Sequence, residues 1–92
     1  MSALTPRERA YDCFHLARSA STRVPLGGQR YGMTIEGVRR NREDLFRQAE
    51  RAVTEALNGP PKVILREPDD DALRAMLAVC GRELAASNEE AR

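Results

Sequence analysis

Tryptophan is absent from this 92-residue chain, and Tyr11, Phe14, Tyr31 and Phe46 are its only aromatic residues. So few large rings leave little material for a β-sandwich, whose strands favour aromatic and β-branched side chains. Leu, Val, Ile and Ala remain to build the core, and they suit packed helices. Cysteine is nearly absent too. Cys13 and Cys80 are the only two, which excludes a disulfide framework and a structural zinc site. Two free thiols in a reducing compartment are expected.

No stretch approaches the roughly 20 apolar residues that a membrane-spanning helix needs. Met1–Ala10 lacks the apolar run of a secretory leader. A cytoplasmic location, away from membranes, is the expectation. Histidine occurs once, as His15, and lysine once, as Lys62, beside fourteen arginines. Arg and Ala are spelled by GC-rich codons, which fits a bacterial or phage coding sequence.

The length supports one small domain over residues 1–92 with a modest core. Its ends, residues 1–4 and 88–92, are expected to fray. The net charge is +1, so no overall field draws the chain to nucleic acid or membrane. The charges are unevenly placed. Residues 1–47 carry nine Arg against five acids, and residues 48–92 carry six basic residues against nine acids.

Three helices are legible. Thr5-Pro6-Arg7-Glu8 combines a capping threonine, a proline at the first helical position and a glutamate placed to close a capping box. From there Ala10, Cys13, Phe14 and Ala17 keep a three-four spacing to about Ala20. Arg23 to Gly32 reads as a loop, broken by Pro25, Gly27, Gly28 and Gly32. Ile35, Val38, Arg42, Leu45, Ala49, Ala52 and Ala56 then form a second stripe, widened by Phe46, Val53 and Leu57. This helix begins near Thr34 or Asn41. It stops at Asn58-Gly59-Pro60, where Gly59 is expected to turn left-handed.

Lys62–Arg66 is a short β-branched run between prolines and suggests one edge strand. Asp69–Asp71 open the last helix, whose stripe is Leu73, Met76, Leu77, Cys80 and Leu84. Gly81 inside it suggests close approach of a neighbouring helix. The expected fold is therefore mostly α: three helices, a long loop after the first, and one short strand at about 62–66. The alternative is a small α+β domain in which residues 30–35 pair with 62–66.

No catalytic, metal or cofactor site assembles from these residues. Asp12, Cys13 and His15 are close in sequence, but on a helix Cys13 and His15 point about 200° apart. Gly27–Gly32 lacks the Lys-Ser/Thr of a phosphate-binding loop. The Asp69–Asp71 triplet lacks the alternating ligands of a calcium loop and is accounted for by helix capping.

The arginines are the more informative group. Residues 18–42 hold six Arg and one acid. Further along, acids fall at pairing distance, placing Arg40 with Asp44, Glu43 with Arg47 and Arg51 with Glu55. Arg42 occupies a stripe position that its neighbours fill with apolar groups. Its stem is expected to pack and its head to reach water, or to meet a carboxylate or phosphate.

The expected function is that of a small non-enzymatic binding protein, a regulator or inhibitor working by protein–protein contact. Its partner is another protein or a second copy of itself. The alternative is nucleic-acid binding through the basic stretch Arg18–Arg47, which predicts steep salt dependence. The candidate contact residues are Arg23, Arg30, Tyr31, Arg39, Arg42, Val63 and Leu65.

Overall fold

The computed structural model describes residues 4–20, 22–24, 26–28 and 32–90, with side chains described up to residue 87. Three helices follow in order: α1 (Pro6–Arg18), α2 (Ile35–Asn58) and α3 (Asp70–Glu90). The domain is mostly helical, as the stripes require.

Local chemistry sets the boundaries. Thr5 and Glu8 form the full capping box, each side chain receiving the other's backbone N–H at 3.2 Å. Thr34 caps α2 by accepting from Gly37 N at 3.0 Å, so the earlier of the two possible starts is used. Asp69 caps α3 by accepting from Ala72 N at 2.8 Å. Gly59 ends α2, but not through a left-handed turn. Its φ of −93° and ψ of −163° are extended, the conformation that the following Pro60 imposes on the residue before it. In the connection between α1 and α2, Gly27 and Gly32 do adopt positive φ, at 81° and 77°, which a side chain would oppose.

α2 is central and antiparallel to both neighbours, while α1 and α3 touch each other only slightly. The layer so formed is thin, with Cα extents of 46 × 34 × 15 Å. The main core cluster joins Ala10, Phe14 and Ala17 of α1 to Phe46, Ala49, Val53 and Ala56 of α2, and these to Leu73, Met76 and Cys80 of α3. Its many alanines let the helices approach closely, and Phe46 is the largest fully buried side chain. Ile35, expected in this stripe, is exposed. α2 is longer than α1, and its first turn lies beyond the core cluster.

Two further expectations are corrected. Among the described residues there is no strand. Residues 62–66 form a turn, because the N–H groups of Val63 and Ile64 go to the Glu67 carboxylate and not to a second strand. The alternative pairing with residues 30–35 fails for the same reason, and α2 already begins at Ile35; residues 29–31 lie outside the described residues. Gly81 faces open space, with nothing within 4 Å of an added Cβ. It serves no helix contact and costs helix propensity. Gly81→Ala is therefore expected to stabilise the domain by about 0.5–1 kcal/mol in urea unfolding. A loss of stability would show that the position is not open.

Candidate functional site

The α2–α3 connection is rich in proline, and that composition governs its structure. Pro60, Pro61 and Pro68 donate no backbone hydrogen bond, so a regular ladder cannot form around them. Their carbonyls still need donors where the loop meets the helices. Arg7 supplies them. It lies on the inward stripe of α1 with Ala10, Phe14 and Ala17, and only 3% of it is exposed. Its Nε donates to Pro60 O at 3.2 Å and its Nη1 to Pro68 O at 3.0 Å. Its Nη2 meets Asp70 Oδ1 at 2.5 Å. A guanidinium carries five N–H donors in a fixed fork, and this one ties α1, both ends of the loop and the start of α3 together.

Glu67 closes the loop from the other side. Its Oε1 accepts from Val63 N and Ile64 N, both at 2.9 Å. Its own N–H donates to Ile64 O at 3.1 Å. The residue is 6% exposed. Its carboxyl is held below the ordinary carboxylate range, first by the Ile64 and Val63 N–H donors, with smaller help from the Thr5 side chain and the Arg7 charge; burial opposes the shift. Arg66 Nε reaches Glu8 Oε2 at 2.9 Å, adding a tie to α1.

A carboxyl with a lowered folded-state pKa stabilises the fold above its unfolded pKa. That contribution disappears as pH falls through the folded value. Acid unfolding below pH 4.5 should therefore be less steep in Glu67→Gln than in the parent. Identical acid-unfolding curves would mean that Glu67 is not linked to folding.

With the backbone bound from behind, the side chains of the tip face outward. Val63 is 82% exposed and Leu65 95%. Ile64 turns inward and is half-buried. Behind the tip lies a mostly apolar cavity of about 270 Å³ lined by Pro6, Pro60, Pro61, Val63 and Ile64, with Thr5, Arg7 and Glu67 at its polar edge. The exposed Leu4 adjoins it in sequence.

Of the other candidate contact residues, Arg39 and Arg42 do not join this surface. Arg39 and Arg42 lie near the opposite end of α2, roughly 25–30 Å from Pro60 at 1.5 Å per residue. Arg42 Nη1 pairs with Glu83 Oε2 of α3 at 2.8 Å, and its guanidinium sits 4.8 Å above the Phe46 ring. Of the two outcomes expected for Arg42, it is the carboxylate that is met, and it belongs to the same chain. Arg23 is exposed in the α1–α2 connection. Arg30 and Tyr31 lie outside the described residues. Several other arginines are also answered internally. Arg40 pairs with Glu36 at 3.4 Å, not with Asp44, Arg47 pairs with Glu43, and Arg18 lies 5.7 Å from the Phe14 ring.

His15 is exposed and packs against Tyr11 with the rings tilted and their centroids 4.3 Å apart. Among the described residues no group of three His, Cys, Asp or Glu could hold a metal ion, and no helix is long and apolar enough to cross a membrane. Cys80 is fully buried. Burial, with a smaller contribution from the Glu50 charge, pushes its thiol up to about 11. The thiolate is the reactive form, so Cys80 should resist iodoacetamide at pH 8 while the half-buried Cys13 reacts. Intact mass should show one adduct natively and two in denaturant. Rapid double labelling of the folded chain would contradict this placement.

Compared with known proteins, the chain matches no family model, no curated protein and no solved structure.

Proposed function

We propose that this chain is a non-enzymatic binding protein that docks on another protein through the tip of the α2–α3 loop. The observation that carries this reading is the exposure of Val63 and Leu65 on a turn whose backbone is fastened by Arg7 and Glu67. Apolar side chains on a fixed base offer contact area without the entropy cost of ordering a loop. Few residues are needed, because binding energy concentrates in small desolvated clusters. The contact is made by side chains. Strand addition would need Val63 N and Ile64 N, which Glu67 already occupies. A small regulator or inhibitor in a reducing compartment such as the cytoplasm fits this design.

The test places a photo-crosslinking residue at position 65, with the exposed Ala78 on α3 as the control site. The expected result is a specific adduct to another protein from position 65 only, with Val63→Asp in the same chain abolishing it. Equal adducts from both positions, or no effect of Val63→Asp, would remove the reading.

Nucleic-acid binding through Arg18–Arg47 is the rival. The acids facing Arg40, Arg42 and Arg47 weigh against it, since each answered cation is one fewer to displace counterions. A gel shift by micromolar protein at low salt, weakening steeply as salt rises, would favour the rival.

A further inference from the structure

We draw no further inference here: the strongest candidate, the cavity of about 310 Å³ over the first two turns of α2 lined by Met33, Thr34, Gly37, Val38 and Asn41, is an open surface at a helix start, and nothing in the structure shows what covers it.

Discussion

Phe46→Ala should cost about 3–5 kcal/mol, the range for removing a large buried aromatic side chain. The ring is 1% exposed at the middle of α2, the helix that holds the other two. Four of the other members of its cluster, Ala10, Ala17, Ala49 and Ala56, have no longer side chains to move into the space. The Arg42 guanidinium, 4.8 Å above the ring, loses its face as well, which adds about 0.5–1 kcal/mol.

Small domains have only about 5–15 kcal/mol in total, so this variant stands near the unfolding threshold. At about 4–8 °C per kcal/mol for a domain this size, its melting point should fall by more than 10 °C. Thermal and urea unfolding followed by circular dichroism measure both quantities. Leu16→Ala, on the exposed side of α1, should stay within about 0.5 kcal/mol of the parent. Equal effects of the two substitutions would mean that Phe46 is not the centre of the core.

The helices were legible because each has an apolar stripe of three-four spacing and a capping residue in its first turn. Thr5, Thr34 and Asp69 all act as their positions suggest. The loop was not legible, because β-branched residues at 62–66 favour extended backbone and propensity carries no information about which donors and acceptors are already engaged. Glu67, at i+3 and i+4 from Ile64 and Val63, outcompetes any strand partner for their N–H groups.

Arg7 does leave a trace in the sequence. It falls on the α1 stripe, three residues before Ala10 and seven before Phe14, just as Arg42 falls on that of α2. An arginine on an apolar stripe signals a buried acceptor. Arg42 stood out as out of pattern because its stripe is long, while Arg7 was hidden in a capping motif. The identity of the acceptor was not legible in either case. Glu83 lies 41 positions from Arg42, and Pro60 lies 53 positions from Arg7; only the packed fold brings them together.

Arg7→Ala should cost about 2–4 kcal/mol, and the loop should bear most of the loss. The ion pair itself is a minor part. Asp70 is 53% exposed, so water replaces the lost guanidinium at that oxygen. The Pro60 and Pro68 carbonyls lose the donor Arg7 gave each, and the α1 stripe is left with a void at its end. Arg7→Lys should recover little, because one ammonium cannot reproduce the fork that spans both carbonyls and Asp70.

The loop, once untied from α1, should open without unfolding the helices. Amide exchange at Val63 and Ile64 would quicken in Arg7→Ala beyond what its loss of global stability explains, while Phe46 and Leu73 stay protected. Position 65 would then crosslink less well, since a loose tip must be ordered before it can bind. Unchanged exchange at Val63 and Ile64 would mean that Glu67 alone fixes the turn. The tip would in that case owe its shape to its own residues, and α1 would have no part in presenting it.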